Sequence, residues 1–263
     1  MALIDCPECG RQVSSEAASC PSCGHPILQS SASPTAVQVA ATSPAVGATA
    51  RSLSFGLTGT VSGFLWATAL GFVVAAAMQV AALGNWQLWR DGEISRRQAL
   101  DIENAADAFV GLAVIGFTIT AILFMIWFFQ AYKSAESRGA YGTTWGAGWT
   151  IGAWFIPFAN WVIPKLVMNE VDRMSNPNAG EPPIEQRWKQ MRRLVVSDLW
   201  WITVLIAISI QAIAVVAFAT ADFADDDVYG AGLFLLSLWL LLYAISGALL
   251  GVTTLKIGKR LRP

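Results

Sequence analysis

GAYGTTWGAGWTIGAWFIPFANWVIP, residues 139–164, is one of five stretches free of Asp, Glu, Lys and Arg, the others being 52–89, 108–132, 199–221 and 228–255. Whether it crosses a membrane decides the fold, because five spanning helices put the chain ends on opposite sides and four put them on the same side. A spanning helix needs about 20 mostly apolar residues to cross roughly 30 Å of hydrocarbon with every backbone polar group satisfied internally. Residues 139–164 make a poor one. Gly139, Gly142, Gly146, Gly148 and Gly152 each cost up to about 1 kcal/mol of helix propensity, and an interior proline such as Pro157 about 3 kcal/mol. Trp145, Trp149, Trp154 and Trp161 instead suit the headgroup level, where an indole ring is buried while its N–H finds water. The segment from about 143 to 174 is therefore expected to form a re-entrant or interfacial hairpin, broken at Pro157 and resumed by a helix with Pro164 in its first turn.

The other four stretches are apolar all round and read as transmembrane helices at about 59–83, 108–130, 199–221 and 231–254. Composition agrees: 55% of the 263 residues are hydrophobic, 12 are Trp, and only 13% are charged, against about 25% in soluble domains. An ordinary water-soluble enzyme is excluded. With 17 basic and 18 acidic residues the net charge is −1, so no global field recruits nucleic acid. Four spans place 14 of the 17 basic residues on the side of both chain ends. Arg90, Arg96 and Arg97 are left on the other side with nine acids, among them Asp225, Asp226 and Asp227. That is the positive-inside asymmetry, and it places both ends in the cytoplasm. The fold class expected is an all-α transmembrane bundle over 53–263, four spanning helices plus the Gly/Pro/Trp-rich hairpin, preceded by a small cysteine-bearing domain.

That domain, residues 1–28, contains all four cysteines in two knuckles, Cys6-Pro-Glu-Cys9-Gly and Cys20-Pro-Ser-Cys23-Gly. In each knuckle two thiolates converge from one tight turn, and Gly10 and Gly24 tolerate the backbone geometry that brings amides toward the sulfurs. Two such turns complete a tetrahedral four-sulfur shell for a structural Zn2+. A peptide this short has no core, so metal binding, worth roughly 10–16 kcal/mol in small zinc peptides, supplies its folding energy. A closed four-Cys shell leaves no open position for water or substrate, and His25 reads as a surface residue. The segment resembles the small bacterial zinc-ribbon family, whose CPxCG…CPxCGxPI pattern is matched through Pro26 and Ile27. Such ribbons serve as nucleic-acid, protein-docking or structural modules. One basic residue, Arg11, against three acids argues against nucleic acid and for a protein partner. Residues 29–52, rich in Ser, Ala, Thr and Pro, read as a disordered linker.

Around Trp127, Tyr132, Gly148-Trp149, Trp154-Phe155-Ile156-Pro157, Asn160, Pro164 and Met168 the chain resembles a bacterial membrane family known as domain of unknown function 4328, over roughly 60–260. The resemblance implies a multi-span bacterial inner-membrane protein with no assigned activity. It marks Trp154, Pro157, Asn160 and Pro164 as candidate functional positions. Asn160 has two readings: its amide caps backbone groups freed at the Pro157 break, or it lines a site for an ion or headgroup. Downstream, Arg187, Lys189, Arg192 and Arg193 beside Trp188 and Met191 read as a basic amphipathic helix entering the third span, suited to anionic lipid or to fixing topology. Small residues recur every four positions at Gly59, Gly63, Ala67, Gly71 and Ala75, and again as Gly247-xxx-Gly251. They suit close helix packing within the chain or in a homo-oligomer.

Asp107 and Asp198 sit at span ends, and no Asp, Glu, His or Lys falls deep inside a span, where proton-coupled transporters and intramembrane enzymes place them. HExxH, P-loop and GxSxG motifs are missing as well. The expected function is that of a non-enzymatic inner-membrane adaptor or regulatory protein whose cytoplasmic ribbon docks a protein partner. The alternative is a channel or small-solute transport component built on the break at Pro157–Asn160.

Overall fold

The computed structural model describes residues 3–6, 8–14, 17, 19–23, 53–179, 184–220 and 227–262. Gly24, His25, Pro26, Ile27, the 29–52 linker, Asp225 and Asp226 lie outside the described residues. The chain divides into two compact units, Met1–Ala48 and Thr49–Pro263.

In the first unit β1 (Leu3–Asp5) pairs antiparallel with β2 (Gln12–Ser14), Ile4 standing opposite Val13. The turn between them is the first cysteine knuckle. The Cys6 N–H donates to the Arg11 carbonyl at 2.9 Å and the Gly10 N–H to the Cys6 carbonyl at 2.8 Å. Gly10 takes φ +69°, a conformation that penalises any residue with a Cβ. Val13 packs with Cys6 and Cys20 as the unit's small buried cluster.

The second unit is helical: α1 (Phe55–Arg90), α2 (Arg96–Glu136), a single turn α3 (Trp149–Gly152), α4 (Ile163–Met174), α5 (Val195–Thr220) and α6 (Asp227–Arg260). Helices α1, α2, α5 and α6 are each long and apolar enough to cross a membrane, which makes this a multi-pass transmembrane bundle in contact with lipid. Local signals set the helix starts. Ser54 caps α1 through the Leu57 N–H, and Ser95 and Gln98 form a reciprocal capping box at the start of α2. With 41 residues at about 1.5 Å each, α2 is roughly twice as long as the hydrocarbon core is thick. The polar turns at its two ends, 96–107 and 130–136, make up most of the excess.

Packing runs in a row: α2 on α1, α1 on α6, α6 on α5. The α1–α6 contact is the closest. A Cβ on Gly251 would lie 2.5 Å from Trp66 Nε1, and one on Gly258 would lie 2.4 Å from Thr58 Cγ2. Gly247 likewise faces Ala69 and the Leu65 carbonyl, so the GxxxG face of α6 packs within the chain. On α1, Gly59, Gly63 and Ala67 are exposed instead, and a Cβ at either glycine would meet nothing within 4 Å.

The re-entrant hairpin expected over 143–174 is not formed. Glycines and Pro157 break the segment so often that the four-residue α3, a run of turns and a 3-10 turn at Ala159–Trp161 are all the helix it makes before α4. No antiparallel helical arm forms. Phe158 takes φ +63°, which for a bulky residue costs about 1–3 kcal/mol and reverses the chain just after Pro157. Around this turn Phe155, Ile156, Phe158, Trp161 and Val162 are exposed, an uncharged aromatic surface suited to lipid. The basic amphipathic helix expected before the third span is also replaced. Arg187–Gln190 is one 3-10 turn, residues 192–194 are non-helical, and α5 begins at Val195. The backbone N–H of Leu194 is held by Asp172, which stops helix before α5.

Candidate functional site

Three groups of side chains carry chemistry. The first is the cysteine cluster. Knuckle one comes from the β1–β2 turn and knuckle two from the Pro21–Cys23 turn, and the four Sγ atoms lie within 4.8 Å of one another. Cys6 Sγ is 3.6 Å from Cys23 Sγ and Cys9 Sγ 3.7 Å from Cys20 Sγ. A disulfide would need about 2.05 Å. A tetrahedral zinc ion with bonds of about 2.3 Å sets sulfur–sulfur edges of about 3.8 Å, so the donor set and its spacing fit a metal ion of that kind. The backbone N–H of Ser22, helped by the Cys23 backbone and the neighbouring thiols, draws the Cys20 thiol down to about 7 against the opposing effect of burial.

The second group is a cavity of about 340 Å³ in the bundle. Helices α1, α2, α5 and α6 form its walls, and the turn from Trp154 to Trp161 closes one end. It occupies the place where α2 and α5 would meet if the row of helices closed on itself. Those two helices touch through the Phe124 and Trp200 rings, 6.3 Å apart, but do not pack along each other. Phe124, Trp154, Trp200 and Trp201 form an aromatic cluster at the end near Asn160, and Phe72, Phe117 and Tyr243 form another farther along. The lining holds no charged side chain. Its hydroxyls are in part satisfied internally, Thr68 and Thr120 sharing a hydrogen bond of 2.7 Å. Asn160 is different: its N–H donates to the Ile156 carbonyl at 3.0 Å, while its buried Oδ1 accepts from no group among the described residues.

Of the four positions singled out around the helix break, Trp154 and Asn160 line this cavity. Pro157 is exposed at the turn, and Pro164 is buried in the first turn of α4. Trp154 Nε1 donates to the Thr150 carbonyl at 3.0 Å, and Trp201 Nε1 to the Trp161 carbonyl at 3.2 Å, which ties the turn to α5.

The third group is an ionic layer around α4. Val167, Val171 and Met174 form its buried apolar stripe, but Lys165, Asn169, Glu170 and Asp172 are buried too. Lys165 Nζ donates to Ser197 Oγ at 2.7 Å and pairs with Asp198 at 2.8 Å. Asp172 pairs with Arg260 at 2.8 Å and accepts the Leu194 N–H. Glu170 accepts the Thr144 and Trp145 N–H groups at 2.8 and 3.3 Å and the Tyr132 hydroxyl at 3.3 Å. Burial raises the Asp172 carboxyl above its ordinary range, opposed by the Leu194 N–H and Arg260. It lowers the Lys165 ammonium, opposed by Asp198. Lys165, Glu170 and Asp172 are all engaged in holding α4 to its neighbours, so their role is structural, whereas the buried Asn169 Oδ1 and Arg173 Nε have no hydrogen-bond partner among the described residues. Sequence reading missed this layer because Arg260 is 88 residues from Asp172 and nothing local announces the pair.

The basic residues before α5 are exposed: Arg187, Lys189, Arg192 and Arg193. Arg193 reaches Asp198 at 3.8 Å, and Lys189 lies 5.7 Å over the Trp188 ring.

Compared with known families, residues 90–259 match Domain of unknown function (DUF4328) and residues 6–27 match the zinc-ribbon domain. No curated protein and no solved structure matches the chain.

Proposed function

The chain belongs to the DUF4328 family and carries a zinc-ribbon domain, and from that premise we propose that it is a non-enzymatic membrane adaptor or regulatory protein whose ribbon docks a protein partner. The observation that carries this reading is the closed shell of four sulfurs in a unit of its own. Zn2+ is the ion we assign to it. Cys6, Cys9, Cys20 and Cys23 would hold the ion, which supplies fold rather than reaction, since four thiolates leave no coordination position for water or substrate. Arg11 as the one basic residue of the ribbon favours protein over nucleic acid as partner. The distribution of Lys and Arg supports a bacterial cytoplasmic membrane location with both chain ends in the cytoplasm. The four basic residues before α5 then face anionic headgroups on that side. A solute pathway at Pro157–Asn160 is the weaker reading, because the adjoining cavity is walled by aromatic and aliphatic side chains without a charge.

Removal of residues 1–50 tests the docking role. The truncated chain should still insert and run as a monodisperse membrane protein while losing its native protein partners. An unchanged set of partners would refute the proposal.

A further inference from the structure

We infer that the cavity between α2 and α5 is a binding site for a neutral, hydroxyl-bearing membrane lipid of the acylglycerol type, with its acyl chain in the cavity and its hydroxyl donating to Asn160 Oδ1.

Four observations define the ligand. The cavity volume, about 340 Å³, lies within the range of about 300–1,000 Å³ of small-molecule sites. Its walls are mostly apolar, which selects a hydrocarbon chain. Among the described residues, its one buried polar side-chain atom without a partner is an acceptor, Asn160 Oδ1, and a buried acceptor left unsatisfied costs about 1–3 kcal/mol, so a ligand that donates a hydrogen bond there is favoured. No Lys or Arg lines the cavity, and a phosphate or carboxylate headgroup would find no countercharge.

The path of entry agrees. Phe117, Phe155 and Trp161 line the cavity and are also exposed on the outer surface of the bundle, so the opening faces the medium that surrounds spanning helices, which is lipid. Asn160 sits among Trp154, Trp161, Trp200 and Trp201, the residue type that prefers headgroup level. From there toward Phe117, the seven-residue step from Phe124 to Phe117 on α2 covers about 10 Å of hydrocarbon depth. A lipid so placed keeps its polar end at the interface and its chain in the core.

The probe is a monoacylglycerol with a diazirine in its acyl chain, photolysed with the full-length protein in phosphatidylcholine nanodiscs. Labelling should map to cavity-lining positions of α2 or α5 and be competed by unlabelled monoacylglycerol. The same lipid with both hydroxyls methylated, and a lysophosphatidate of the same chain length, should compete at least tenfold less well. These arms use the unmodified chain and hold whether or not any variant folds. Asn160→Leu, which removes the acceptor, and Ala121→Trp, which fills the cavity, should each weaken labelling at least tenfold. Ile206→Ala, on the exposed face of α5 outside the cavity, should not. Equal competition by the methylated lipid, stronger competition by the lysophosphatidate, or label spread over the outward faces of the helices would overturn the assignment.

Discussion

The two units of this chain are held together by different means. In the ribbon the buried cluster is Cys6, Val13 and Cys20, and two three-residue strands supply the regular structure. Domains this small cannot bury enough surface to fold on that alone, so on the reading proposed above four sulfur–metal bonds would carry the fold. The bundle has no such single point of failure. Its helices are satisfied internally, and stability in lipid comes from close backbone approach along α1–α6 and from the ionic layer around α4. One unit should therefore unfold completely when one ligand is lost, whereas the other should weaken by increments.

The largest effect is expected from Cys6→Ser. Loss of a ligand forfeits much of the roughly 10–16 kcal/mol that binds the ion. Metal content measured by elemental mass spectrometry should fall from one zinc per chain to near zero, with the ribbon opened to protease and the thermal midpoint of the bundle unchanged. Next is Asp172→Ala, which strands Arg260 and the Leu194 N–H. Asp172 is fully buried, so the cost expected is about 3–5 kcal/mol, read as a lower thermal midpoint in detergent with zinc retained. Gly258→Ala should cost about 1–3 kcal/mol by the same assay, because its Cβ falls 2.4 Å from Thr58 Cγ2, and Thr58 is pinned by the Trp127 indole N–H at 3.2 Å. The smallest effect belongs to Arg90→Ala. Its partner Asp227 is largely exposed, so the loss should stay under about 1 kcal/mol. A bundle that melts when zinc is removed, or a ribbon that persists without it, would erase the contrast.

How legible each part is in the sequence follows from how local its interactions are. The convergence of the four sulfurs can be read from CPxCG spacing, because each knuckle is a single turn. The four spanning helices are legible because lipid demands about 20 uncharged residues in a row. The region between the second and third spans resists reading. Trp, Gly and Pro content signals a break and an interface but not its shape, and the helical hairpin it suggests is replaced by turns around Phe158. Nothing in the sequence announces what Lys165, Glu170 and Asp172 of α4 pair with. Their partners, Asp198, the Thr144 and Trp145 amides and Arg260, come from distant segments that only the tertiary fold assembles. The cavity is a product of the same assembly, since Asn160 gains its apolar surroundings from four helices at once.

The central claim is that the metal-folded ribbon is the docking part of a membrane-anchored chain. It is tested most directly by quantitative co-purification from native membranes, comparing the unmodified protein with the Cys6→Ser/Cys9→Ser variant at matched abundance. The account predicts specific protein partners with the unmodified chain and their loss with the variant, while membrane insertion is unaffected. The same partners at the same yield in both preparations, or none in either, would contradict it.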